Sequence, residues 1–172
     1  MIKNTIMDFT KTDIEQIRID VESEGQSALS MLIHKDGTLN RQGNGSFPPV
    51  KVAAIGMTDG AIFRKLVDAL DERIFEQAGI YDHPNKQGQQ IRYSLAFIGQ
   101  KPKIKVIEFR VGLENKDVGD LLPYVDRFIN AAAQMTNDWY DKAVKNSDNK
   151  SEKIDTSNKQ SESKKKWWKF GK

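Results

Sequence analysis

This chain predicts an α+β fold: a two-layer sandwich in which an antiparallel sheet of five to six strands carries two helices on one face, in the order β-β-β-(β)-α-β-β-α. Three observations lead there. Short runs alternating apolar and polar residues recur between turn-forming dipeptides, the period of half-buried strands. Strands joined by connections this short must pair antiparallel. Two longer stretches repeat apolar residues at helical spacing on one side only, so both helices must seek the same face of the sheet.

The elements follow in order. Met1 to Asp13 lacks the apolar stretch of a secretory signal, because Asn4, Asp8 and Thr10 interrupt it. A frayed end or a short helical turn is expected. Ile17, Ile19 and Val21 alternate with Arg18, Asp20 and Glu22 in a first strand, and Glu24-Gly25 turns it. Leu29, Met31 and Ile33 form the inward set of a second strand, with Ser30 and His34 opposite. Asp36-Gly37 suits the left-handed positions of a type I′ turn. Leu39 to Gln42 reads as a third strand, polar and short enough for an edge. Gly43 to Pro49 is loop, and Val50 to Ile55 adds a fourth short strand.

A helix follows, capped by Thr58 or Asp59, whose side chains accept from the free amides of a first turn. Ile62, Phe63, Leu66, Val67, Leu70, Ile74 and Phe75 make its single apolar stripe. Gly79 stands where a C′ glycine belongs, with Ile80 giving the contact of a Schellman ending. Tyr81 to Gly88 is a polar loop.

The hairpin from Gln89 to Gly112 is the strongest strand signal. Ile91, Tyr93, Leu95 and Phe97 share one face, and Gly99, Gln100, Lys101 and Pro102 turn the chain. In the return strand Ile104 and Val106 share a face, yet the next inward set is Ile107, Phe109 and Val111. A phase slip of one residue predicts a β-bulge between Val106 and Ile107; the alternative is a strand buried on both sides at that point. A second helix then places Val118, Leu121, Leu122, Val125, Phe128, Ile129, Ala132, Met135, Thr136, Trp139, Tyr140 and Ala143 on one face. Pro123 belongs in a first turn, so the regular part starts near Asp120.

The outward strand positions Arg18, Asp20, Glu22, Ser30, His34, Arg92, Ser94, Lys105, Glu108 and Arg110 are polar and predict a wet face. A single-stranded RNA platform stacks bases on outward aromatics. Here Tyr93, Phe97 and Phe109 point inward, so a solvated surface, open to a protein partner, is the better reading.

Chemistry is sparse, and no catalytic, cofactor or metal residue is assigned. With no cysteine, disulfides and thiolate metal sites are excluded, and a reducing cytoplasm is the expected compartment. His34 beside Asp36 and His83 beside Asp82 are explained by turn chemistry. An enzyme built on them, the weaker alternative, needs the two loops to meet. Gly43-Asn44-Gly45-Ser46 lacks the later glycine and immediate helix of a phosphate loop. Asp59 reads as a cap rather than a base, and no H-E-x-x-H spacing occurs.

Charge divides the chain. From Lys145 onward there are nine lysines and Asp148, Glu152, Asp155 and Glu162, a balance of +5; residues 1–144 hold 18 basic and 20 acidic residues, a balance of −2. The expected organisation is a globular domain over 1–144, a disordered polar linker over 145–163 with too few apolar side chains to order itself, and a basic-aromatic motif over 164–172. Lys164, Lys165, Lys166, Trp167, Trp168, Lys169 and Phe170 are the candidate binding residues. Indole rings favour the headgroup zone of a bilayer, and each lysine near an anionic leaflet contributes about 1 kcal/mol. The expectation is a non-enzymatic binding or adaptor module held reversibly at an anionic membrane, on its cytoplasmic face. The motif's aromatics also suit a pocket on a protein partner. The alternatives are a nucleic-acid-associated protein, lysines on phosphate and indoles on bases, and a merely solubilising terminus.

Overall fold

The computed structural model describes residues 9–43, 53–100 and 103–166, with side chains described as far as residue 145. The chain divides into two compact units, Met1–Asn137 and Asp138–Lys172. The first unit is a mixed α+β fold built on one sheet. Its strands are β1 (Gln16–Ser23), β2 (Gln26–His34), β3 (Thr38–Gln42), β4 (Ala54–Met57), β5 (Gly79–Asp82), β6 (Gln90–Ile98) and β7 (Ile104–Gly112). They lie in the order β4-β3-β2-β1-β6-β7-β5. Each neighbouring pair is antiparallel except β5 with β7, which is parallel. Three α-helices accompany them, α1 (Ala61–Ala69), α2 (Glu72–Glu76) and α3 (Leu122–Lys166), and Lys11–Asp13 forms a short 3-10 turn.

The core lies between the sheet and the helices. Ile17, Ile19, Leu29, Met31, Ile33, Leu95, Phe97, Ile107 and Phe109 point toward Phe63, Leu66, Ile74, Phe75, Val125, Phe128 and Ile129, and all are buried. Rings mark the layer boundary. Phe75 of α2 meets Phe97 of β6 edge-on at 5.6 Å, and Phe97 meets Phe128 of α3 at 6.1 Å. Both helices therefore share one face of the sheet, as one-sided amphipathicity requires.

The strand count exceeds the expected five to six because β5 forms where a helix ending and loop were expected. Gly79 is no C′ cap: α2 ends at Gln77, and Gly79 pairs with Ile107. The open edge of β7 captures the segment, and Tyr81 stacks on Phe109 at 4.6 Å with the rings 9° from parallel. The single expected helix is two. Leu70 turns to extended backbone, and the Asp71 side chain accepts from the Arg73 amide, so an aspartate inside the apolar stripe restarts the helix as its own cap. At the start of α1, Asp59 Oδ1 accepts from the Ala61 amide while Gly60, at φ 74°, holds the cap position.

The turns also exchange roles. Glu24 and Gly25 both have positive φ, 49° and 72°, so the type I′ turn joins β1 to β2. At the β2–β3 connection only Gly37 is left-handed, at φ 96°, after a turn closed by its amide on His34 O at 3.0 Å. β3 is interior, not an edge, because β4 pairs beside it. Of the expected fourth strand, residues 50–52 lie outside the described residues, and the observed strand runs to Met57. Lys101 and Pro102 of the hairpin turn, residues 1–8 and 44–49 lie outside them too. The regular part of α3 begins at Leu122 with Pro123 in its first turn, and Val118 precedes it in the loop.

One correction matters for function. The β6–β7 register runs unbroken from Gln90↔Gly112 to Ile98↔Ile104, with no bulge between Val106 and Ile107. The register shift in the sheet lies instead between Val21 and Glu22, opposite Ala28. Without a slip, Ile104 and Val106 stay on the outward face and Lys105 turns inward, its ammonium 4.1 Å from the centre of the Phe75 ring. The outward set is therefore not polar throughout.

The helical backbone of α3 continues through residues 145–163, the stretch read from composition as a tether, to Lys166. No helix among the described residues is long and apolar enough to cross a membrane.

Candidate functional site

The sheet register assigns every outward side chain to a cross-strand row. One row reads Ile55, Asn40, Leu32, Arg18, Ala96, Val106 from β4 to β7, each paired with the next. The row beside it, toward the His34 end, holds Met57 next to Thr38, then His34, Gln16, Ile98 and Ile104. Together they form a band with no acidic residue. Its ends are open: Ile55 is 73 % exposed, Met57 64 %, Ile104 55 % and Val106 37 %. Helices cover the other face of these same strands. The middle of the band, Leu32, Asn40, Ala96 and Ile98, is half-buried.

The other half of the face is ionic and electrically closed, around one exposed apolar side chain, Ile80 beside Glu108. Arg92 pairs with Glu22 and reaches Glu108 at 3.1 Å; Arg110 Nε donates to Glu108 at 2.6 Å. Asp82 accepts from Lys86 at 2.6 Å and lies 3.9 Å from Arg110. Arg18 binds Asp20 at 2.7 Å, and Ser30 Oγ donates to the same carboxylate. The Arg92 guanidinium holds the Glu22 carboxyl below its ordinary range, and the Lys86 ammonium does the same for Asp82. Each charge is answered within its own surface, so this half makes no demand for a charged partner.

The histidines stay apart. His34 is 2.9 Å from Asp36 in its own turn, and His83 Nε2 is 3.1 Å from Asp117 while Nδ1 is 2.7 Å from Asn85 O. His34 ends β2, and His83 follows β5. Four strand spacings of about 4.8 Å separate those strands, about 19 Å, so the two loops do not meet. His83 pairs with Asp117, not with the neighbouring Asp82, whose partners are Lys86 and Arg110. Among the described residues, no group of three or more His, Asp or Glu side chains is gathered as a metal ion would need.

Of the motif residues, Lys164, Lys165 and Lys166 lie in the helical backbone of α3, beyond the described side chains; Trp167, Trp168, Lys169 and Phe170 lie outside the described residues. The apolar band escaped the sequence reading. The signal was present: uninterrupted alternation from Ile104 onward puts Val106 out and Lys105 in, and only the habit of reading isoleucine and valine as inward hides it. Comparison with protein-family models, with curated proteins and with solved structures finds no match to this chain.

Proposed function

We propose that this chain is a non-enzymatic binding module that docks a protein on its uncovered sheet face, while its basic-aromatic terminus holds it reversibly at the cytoplasmic surface of an anionic membrane. The observation that carries the docking half is the pair of apolar ends of the band: Ile55, Met57, Ile104 and Val106 are exposed on strands whose other face turns toward the core. Apolar surface of this kind, rimmed by polar groups, marks a contact site. The membrane half rests on the sequence, three lysines followed by Trp167, Trp168, Lys169 and Phe170 without an acidic residue.

Two measurements test the halves separately. Full-length protein should pellet with vesicles containing phosphatidylserine and remain in the supernatant with phosphatidylcholine alone. A chain carrying Trp167→Ala, Trp168→Ala and Lys164–Lys166 changed to Gln should stay in the supernatant with both. Equal pelleting of the two chains on anionic vesicles removes the membrane half. For docking, a photo-crosslinking residue at position 55 or 106 should trap a protein in cells, and one placed at the exposed Glu72 should not. No adduct at either band position removes the docking half.

A further inference from the structure

We infer that β4 takes up its partner by strand addition: an extended segment of another protein, apolar at alternate positions, pairs along the open edge of β4. This rests on the docking reading above and names the form its partner takes. β4 ends the sheet, with β3 on one side and no strand among the described residues on the other. One contact sets its phase. The Thr58 amide donates to Gly37 O at 2.8 Å, continuing the register that places Met57 opposite Thr38. Hydrogen-bonded and non-bonded pairs alternate along an antiparallel ladder. Ala54 and Gly56 therefore turn their peptide groups toward Arg41 and Leu39, while Ile55 and Met57 turn theirs to the open side. Among the described residues, nothing pairs with the N–H and C=O groups of those two positions. Their side chains are open as well, Ile55 at 73 % and Met57 at 64 % exposure.

The two edges of the sheet differ. β5, at the opposite edge, closes on Asp82, which holds Lys86 at 2.6 Å, and Pro84 follows. Charge and proline are what natural sheets place on an edge to refuse a further strand. Ala54-Ile55-Gly56-Met57 carries neither. The unpaired groups state what fits them. Donors and acceptors repeating at every second residue are matched by another extended backbone, whereas a helix has satisfied its own inside. A nucleic acid finds no cation on Ile55 or Met57. An added strand sets its alternate side chains about 5 Å from theirs on the outer face, which favours apolar residues there. So small a contact gives an affinity of about 1 mM for the edge alone.

Nuclear magnetic resonance of the full-length chain tests this, with the peptide acetyl-Glu-Thr-Val-Thr-Val-Thr-Lys-amide added to about 5 mM. In the chain alone, the Ile55 and Met57 amides should exchange with deuterium faster than the Gly56 amide between them. The peptide should move the Ile55 and Met57 resonances and slow their exchange. A peptide with both valines replaced by proline has lost the donors that face β4 and should do neither. Met57→Pro removes an outward donor and none of the ladder to β3, so this chain, checked for fold by circular dichroism, should lose most of the response. Protected Ile55 and Met57 amides in the chain alone overturn the inference, because the edge is then already covered, by this chain or by a second copy. So does a response that the proline peptide shares, or one at Val106 with none at Ile55 and Met57. A chain that ignores the peptide while its position-106 crosslinker traps a protein loses strand addition and keeps the docking reading. With no adduct at either band position it loses both.

Discussion

Val106 and Ile107 are neighbours in one strand, alike in chemistry, and the fold treats them oppositely. Ile107 is fully buried against the helices, while Val106 stands 37 % exposed on the other side. The same division runs along the whole sheet. The inner apolar side chains Ile17, Ile19, Leu29, Leu95 and Ile107 are fully buried, while Ile55, Met57, Ile104 and Val106 on the outer side are exposed. Burial is worth roughly 25 cal/mol per Å² of apolar surface removed from water, so what closes over a residue decides its contribution, not its own identity. A core substitution should therefore show the largest contrast. Leu95→Ala, at a fully buried site on the inner face, should cost about 3 kcal/mol of stability through lost transfer and an incompletely collapsed cavity. Val106→Ala should stay within about 0.5 kcal/mol. Urea unfolding followed by circular dichroism at low protein concentration reads both. A Val106→Ala cost approaching that of Leu95→Ala would mean the outer face is covered within the single chain.

Polar groups sharpen the contrast, because each face carries arginines under opposite conditions. Arg41 of β3 is only 2 % exposed and points inward. Its Nη1 donates to Ala133 O at 3.0 Å, to Thr136 Oγ1 at 2.8 Å and to Asn137 Oδ1 at 2.8 Å. The guanidinium thus ties β3 to the helix layer across more than 90 positions of sequence, and its removal leaves the buried Ala133 O and Thr136 Oγ1 without it. Arg41→Met, which keeps the stem, should cost about 2 kcal/mol. Thermal unfolding of the two chains checks it.

The legible and illegible parts of this molecule differ in the reach of the interactions behind them. Local signals carried β1, β2, β6, most of α1, and the placement of Pro123, because alternation, stripe and ring geometry are all written within a few residues. The break at Leu70 and Asp71 was hidden by a good stripe that a local cap interrupts. The strand at Gly79–Asp82 was hidden because it depends on an open edge of β7 nearly thirty residues downstream. Arg41 in the core could not be read, since its partners lie on a helix distant in sequence. The phase of β7 depended on which face the helices cover, a property of the assembled layers. The motif at Lys164 to Phe170 is the reverse case: its chemistry is plain in the residues, and its side chains lie beyond the described part of the structure.

The smallest effect belongs to the outer-face ion pairs, and its sign can be worked out. Arg92 bonds Glu22 and thereby lowers its carboxyl pKa from the ordinary 4.5. A carboxyl depressed in the folded state contributes stability above its unfolded pKa, and that contribution is lost as pH falls through the lower folded value. The acid limb below about pH 4.5 is thus where the pair shows itself. Both side chains are 34 % exposed, so solvent screening keeps the contribution under about 1 kcal/mol. Arg92→Gln should accordingly destabilise slightly at neutral pH and flatten the acid limb, because Glu22 then titrates nearer its ordinary value in both states. Unfolding midpoints in urea between pH 3 and pH 7, wild type against Arg92→Gln, resolve this. The loss should shrink with added salt, as an exposed ion pair requires. A loss at Arg92 as large as that at Arg41, and unchanged by salt, would place the ionic half under cover rather than in water.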